Sequence, residues 1–184
     1  MKKSSKKELK ILEAGDPLFP QTTKKLSIKE IKSIKIQKFI NDFLLAVQKD
    51  ALVGLAAPQT GLDKRIIVVH IHPTKYRPDL KDEGATVIIN PVILKQTKTP
   101  KIVMGWEGCG SLPGIFARVP RPQSVKLSYL DRQGVFHTET FTDFKARIIY
   151  HECDHLGGIM FLERADLKSI VTSEQYKRIM GNTK

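Results

Sequence analysis

The chain has 184 residues, 41% hydrophobic and 27% charged, the make-up of one ordinary globular domain with a substantial core. It holds no run of about 18 apolar residues, which excludes a transmembrane helix, and Glu8 and Lys10 interrupt the apolar stretch that a signal peptide needs after its basic start. Thirty-one basic against 19 acidic residues give a net charge of +12, which favours encounter with polyanions but, being interleaved with acids, specifies no partner.

A cytoplasmic protein is therefore expected, with no DNA or membrane partner. Residues 1–10 carry five lysines and one glutamate and read as a mobile basic tail. Gly15-Asp16-Pro17 and Phe19-Pro20 break any regular pattern up to residue 26. Ser27 with Glu30 three places on is a capping-box pattern. Ile28, Ile31, Ile36, Phe39, Ile40, Phe43, Leu44 and Val47 then recur at helical spacing, which predicts a structural helix to about Asp50. Leu52-Val53-Gly54-Leu55-Ala56-Ala57-Pro58-Gln59 suits a strand or turn whose backbone lies close to another group, with Gln59 ending the apolar run.

Residues 65–71 and 86–91 read as buried strands, the second closed by Pro91, with a loop between them. His70 and His72 share a face near the end of the first strand, a conceivable metal pair without a third ligand nearby. A further strand is expected within 92–104, broken around Thr99-Pro100, and residues 105–114 read as a glycine-rich loop around Cys109. Val125–Leu130 and Val135–Phe141 alternate and predict a β-hairpin with a four-residue loop, His137 lying on its solvent face.

Thr142 or Asp143 starts the next helix. Phe144, Ile148, His151 and His155 form one stripe, and Ala146, Ile149, Cys153 and Leu156 fill other sides, up to Gly157-Gly158. A helix apolar on most faces is buried and central. It carries His151-Glu152-Cys153-Asp154-His155, in which one turn separates the two imidazoles, so both reach one metal ion while Glu152 is placed to touch a water. Two histidines need a third protein ligand. Glu163, Asp166 and Glu174 lie downstream, and Glu174 has a spacing that can be entertained; Cys109 competes from upstream. Cys153 points away from the metal face and reads as a small buried apolar residue. A weak helix over about 167–180 closes the chain.

Three separated stretches resemble the peptide deformylases. They are Gly54-Leu55-Ala56-Ala57-Pro58-Gln59, Glu107-Gly108-Cys109-Gly110-Ser111, and His151-Glu152-Cys153-Asp154-His155-Leu156 followed by Gly158. With Arg118-Val119-Pro120-Arg121 and Ala146-Arg147-Ile148-Ile149, the resemblance covers about residues 8–165 of a single catalytic domain, 1–184. It implies an α+β fold in which antiparallel β-sheets pack around a central metal-binding helix, with an N-terminal and a C-terminal helix. It implies removal of the formyl group from the N-terminal methionine of nascent peptides.

Cys109, His151 and His155 would hold one divalent metal, Fe²⁺ in the family, with Zn²⁺, Ni²⁺ or Co²⁺ able to substitute. Glu152 would take a proton from water and deliver it to the leaving amine, while the Gln59 side chain and the Gly110 backbone N–H stabilise the oxyanion. Val53, Gly54, Trp106, Glu107, Phe144 and Ile148 would line the substrate pocket. Asp154 is either an acceptor that orients a histidine or a structural carboxylate. The basic surface would allow ribosome association.

Three positions depart from the family pattern: Leu52 for glycine, Gly110 for leucine and Tyr150 for glutamine. Leu52 would narrow the cleft, Gly110 would loosen its loop, and the larger ring of Tyr150 must be housed. Two other readings compete. One is a divergent amidase or a His-Glu-x-x-His peptidase; the other is a non-catalytic metal-stabilised module that binds RNA or ribosomes. Glu152 argues against the last, since a structural metal site needs four protein ligands and no carboxylate beside an open position.

Overall fold

Ser27 and Glu30 close the expected capping box: Ser27 Oγ accepts from the Glu30 N–H (3.2 Å), and Glu30 Oε2 accepts from the Ser27 N–H (2.8 Å). The helix that follows is short. α1 spans Ile28–Ile31, and α2 begins afresh at Ile34 and runs to Lys49. Ser33 serves both ends, donating from Oγ to the Glu30 carbonyl (2.6 Å) and accepting from the Ile36 N–H (3.3 Å). The single helix expected to Asp50 is thus two. The computed structural model describes residues 9–181 apart from 21, 50, 51 and 96–98, so most of the basic tail, residues 1–8, lies outside the described residues.

The strands are β1 (Gly54–Ala56), β2 (Ile66–His70), β3 (Ala85–Leu94), β4 (Ile102–Cys109), β5 (Leu112–Pro122), β6 (Ser124–Leu130), β7 (Phe136–Thr142) and β8 (Asp166–Thr172). α3 (Asp143–His155) precedes β8, and α4 (Ser173–Gly181) follows it. Two antiparallel sheets result, one ordered β1-β2-β3-β6-β7 and the other β4-β5-β8.

β2 explains how the larger sheet is held. All five of its residues are buried, because successive side chains point to opposite faces and both faces are covered. Ile66 and Val68 join Ile36, Ile40, Phe43 and Val47 of α2 in one core, whereas Ile67 and Val69 join Ala146, Ile148 and Ile149 of α3 in another. Each such aliphatic side chain contributes about 1.5–3 kcal/mol on burial. α3 also packs against β5 of the smaller sheet, so the helix that bears both histidines runs between the sheets.

Four further expectations need correction. β3 does not end at Pro91 but continues to Leu94, because a bulge absorbs the proline. The register shifts between Ile89 and Val92, Asn90 takes φ 52°, and its side chain bonds the Leu26 backbone in both directions (2.8 and 2.9 Å). The stretch 105–114 is not a loop: Gly105 to Cys109 complete β4 and pair with β5, and Gly110-Ser111 form the turn. The hairpin loop between β6 and β7 has five residues, 131–135, since Leu130 pairs with Phe136. Finally, the first half of the expected closing helix is β8. Ile170, Val171 and Thr172 are β-branched, and β5 offers a free edge on which Phe116 pairs Val171.

Candidate metal centre

The centre is assembled from three sequence-distant segments. α3 contributes His151, Glu152 and His155; the end of β4 contributes Cys109; the 3₁₀ turn Ala57–Thr60 after β1 contributes Gln59. Ligand atoms of Cys109, His151 and His155 lie within 4.8 Å of one another, and no other such group of three occurs among the described residues. Cys109 Sγ is 3.2 Å from His155 Nε2. The competing ligand Glu174 is exposed on α4, where it accepts from Lys177 (2.9 Å). His70 is paired with Asp82 (3.0 Å) and His72 Nδ1 with the His70 carbonyl (2.9 Å), so they form no metal pair of their own.

Glu107 was expected in the substrate pocket. It borders the cleft, but its carboxylate is fully engaged elsewhere. Oε1 accepts from Arg121 Nε (3.0 Å) and Arg147 Nη1 (2.8 Å); Oε2 accepts from Arg121 Nη2 (3.0 Å) and meets His151 Nδ1 at 2.9 Å. Burial would raise its pKa, yet the bonds to His151 and Arg121 outweigh burial and hold it down to about 2. A charged Glu107 holds the Nδ1–H of His151, so Nε2 is the ring nitrogen left to a metal, which would take the place of any proton there.

The Asp154 carboxylate bonds to neither imidazole. It accepts from Arg121 Nη1 (2.5 Å) and from Arg164 Nε and Nη2 (2.7 and 2.8 Å). Burial favours neutral His155, as do the charges of His151 and Arg121, and its pKa is well below the ordinary value. Burial opposes protonation of His151 too, but its bonds to Cys109 and Glu107 raise its pKa well above that value.

Glu152 lies beside the ligands, 4% exposed, and its Oε2 has no hydrogen-bond partner. Burial pushes its pKa up to about 7. β1 reaches it closely: a Cβ on Gly54 would stand 2.5 Å from Glu152 Oε1 and 2.6 Å from Ile148 Cγ2, so any larger residue would displace these side chains. Gln59 is buried rather than a surface residue. Its Oε1 accepts from the Ala56 N–H (2.8 Å), which turns Nε2 towards Ser111 Oγ (3.1 Å) and Cys109 Sγ (3.5 Å). The segment 11–14 ties these parts together, with Leu12 N–H donating to the Gln59 carbonyl and Ala14 N–H to the Ser111 carbonyl, both at 2.8 Å.

A cleft of about 510 Å³ opens over the centre. Val53, Gly54, Trp106, Phe144 and Ile148 line it, together with Gln59, Cys109, Gly110, His151 and Glu152. His155 is fully buried behind them. Four aromatic and basic residues escaped the sequence reading: Tyr76, Arg77, Phe116 and Tyr176. Tyr176 of α4 stacks on Phe116 (4.1 Å, 2°) and meets Trp106 and Tyr76 edge-on. The Arg77 guanidinium lies 4.4 Å from the Phe144 ring centroid. Tyr150 does not crowd the cleft, because its hydroxyl reaches β6 and donates to the Ser124 carbonyl (3.2 Å).

A thiol and two imidazoles form a borderline-soft donor set suited to a first-row divalent ion. The tautomer of His151 set by Glu107 and the neutral bias of His155 fit that role. Three protein ligands beside an unpartnered carboxylate and an open cleft define a metal-dependent hydrolase. A sequence model of the polypeptide deformylase family matches residues 8–170. Peptide deformylase 2 of Nostoc sp. is 38% identical over 178 residues, covering 96% of this chain and 97% of that protein. A peptide deformylase of Leptospira biflexa is 35% identical over 156 residues, 84% of this chain and 86% of that one. The Met-Ala-Ser-bound class I type b peptide deformylase of Acinetobacter baumannii superposes with a TM-score of 0.79 at 34% identity, over 85% of this chain and 97% of that chain. This chain belongs to the peptide deformylase family, metal-dependent hydrolases that remove an N-formyl group.

Proposed function

We propose that this single catalytic domain removes the formyl group from the N-terminal methionine of newly made polypeptides in the cytoplasm. The observation that supports the residue roles is Glu152, buried and unpartnered at Oε2, on the same helix as two members of the Cys109–His151–His155 cluster, with the Gln59 amide 3.5 Å from Cys109 Sγ. Cys109 Sγ and the Nε2 atoms of His151 and His155 would hold the ion, Fe²⁺ in this reading, with Zn²⁺, Ni²⁺ or Co²⁺ as substitutes. A divalent ion there supplies Lewis acidity, lowering the pKa of a water and polarising a carbonyl.

The chain's own residues do the rest. Glu152 accepts a proton at its free Oε2 and returns it to the departing amine; a carboxyl with its pKa near 7 suits both transfers. Gln59 Nε2 and the Gly110 N–H donate to the oxygen that gains charge. Val53, Trp106, Phe144 and Ile148 offer apolar area to a methionine side chain. The Acinetobacter relative was solved with Met-Ala-Ser bound, which supports a short methionyl peptide as the probe.

Formate release from formyl-Met-Ala-Ser, set against appearance of the free amine from acetyl-Met-Ala-Ser and with metal content measured on anaerobically purified protein, tests the reading. Glu152→Gln should keep its metal and lose about 10²–10⁴ in kcat. A Glu152→Gln variant as active as the unchanged protein would overturn the assignment. The basic excess supports an accessory ribosome contact, and co-sedimentation that weakens as salt rises is the expected result.

A further inference from the structure

We infer that Leu52 is a specificity-determining residue of this site, supplying the apolar wall over the catalytic turn in place of a side chain at position 110. The inference rests on reading Gly110 as an oxyanion donor. Gly110 is not required by its backbone, for it is not among the glycines with positive φ. What leaves it bare is its surroundings. A Cβ there would touch both Leu52 methyl carbons at 3.5 Å and Ile11 Cδ1 at 3.7 Å. That is ordinary contact for a methyl group, and a longer side chain directed the same way would meet the volume that Leu52 already fills.

Leu52 and Ile11 both line the cleft, and both pack on the core shared by α2 and the larger sheet. The Leu52 N–H donates to the Val47 carbonyl (3.1 Å), so its root is fixed at the end of α2. The width of the cleft beside Cys109 and Gly110 is therefore set from the α2–β1 connection, while the turn itself presents bare backbone. Two of the three departures from the family pattern meet at this one contact. A side chain at 110 that grew towards Leu52 would compete with it for the same volume, and this chain carries the leucine at 52.

The test is a cycle of Leu52→Gly, Gly110→Leu and the double variant, each nickel-loaded, with formate release from formyl-Met-Ala-Ser, metal content and Tm measured on all. Formate release by the unchanged protein tests the deformylase reading separately; if it fails, metal content and Tm still report on the pair. Gly110→Leu should lower kcat/KM about tenfold and reduce metal content, because overpacking displaces the turn that carries Cys109. Leu52→Gly should act through KM, raising it about threefold, as apolar contact is lost from the cleft wall. The double variant should regain full metal content and come within about threefold of the unchanged kcat/KM, since its volume is conserved. Single effects that simply multiply in the double variant, or a Gly110→Leu variant without defect, would overturn the inference. Recovery of Tm without recovery of KM would reduce the pair to a structural contact and overturn the specificity role.

Discussion

Replacing Glu107 by glutamine tests how far the metal centre depends on what stands behind it. Glutamine keeps the shape but offers one carbonyl oxygen and one NH₂ group. Each Glu107 oxygen now receives two partners: Arg121 Nε and Arg147 Nη1 on one, Arg121 Nη2 and His151 Nδ1 on the other. Whichever way the amide turns, its NH₂ faces donors. Arg121 keeps Asp154, but Arg147 is left with carbonyl partners only, at Gly105, Val119 and Val103. Removing one member of a buried charge network costs about 3–5 kcal/mol. For a domain of this size, that is a fall in Tm of about 6–20 °C. Loss of the acceptor for His151 Nδ1 should also weaken metal binding about 10–100-fold. Thermal unfolding of the chelator-treated protein isolates the first effect, and competition with a calibrated chelator measures the second. A variant that melts within about 2 °C of the parent and holds its metal equally well would refute the argument.

Gly54→Ala should remain folded yet lose about 10²-fold in kcat/KM, since its Cβ would displace Glu152 from the reacting group; retained activity would mean that Glu152 can move without consequence. Tyr176→Ala should lower stability by about 3–5 kcal/mol and raise KM, because the ring fills the space between Phe116, Trp106 and Tyr76 beside the cleft; an unchanged KM would separate α4 from substrate binding. The Ser27 backbone N–H, with Lys64 and the Ser27 hydroxyl, holds the Glu30 pKa down to about 2, against an ordinary 4.5. A depressed folded pKa gives stability that is complete above about pH 4.5 and lost as pH falls towards about 2. Denaturation midpoints measured through that window should fall less steeply for Glu30→Gln than for the parent.

The chemistry was more legible in the sequence than the scaffold. His151, Glu152 and His155 are marked by their helical spacing, whereas spacing leaves Glu174 and Cys109 both open as the third ligand and only the family resemblance favours Cys109. Their partners could not be read this way. Nothing local ties Glu107 to His151, or Gln59 to the turn at Cys109, because these contacts cross between segments of different secondary structure. The strands were misread where glycine and proline carry two meanings. Gly105 and Gly108 suggest a loop by composition, yet both lie in a paired strand, and Pro91 sits in a bulge. β8 was misread because its apolar residues also satisfy a weak helical spacing, and only the open edge of β5 decides between the two. Helical spacing marks Tyr176 only as a packing residue of the closing helix; its place at the cleft comes from three aromatic rings contributed by other segments.

The bonds from residues 12 and 14 have a consequence for the order in which this molecule becomes competent. Their acceptors are the carbonyls of Gln59 and Ser111, so residues made early wait for partners made much later. His151 and Tyr176 come later still. During synthesis, the active centre cannot close piecemeal from one end; it closes when α3 and then α4 arrive. A polypeptide stalled before α4 would hold every metal ligand and still lack one wall of its cleft.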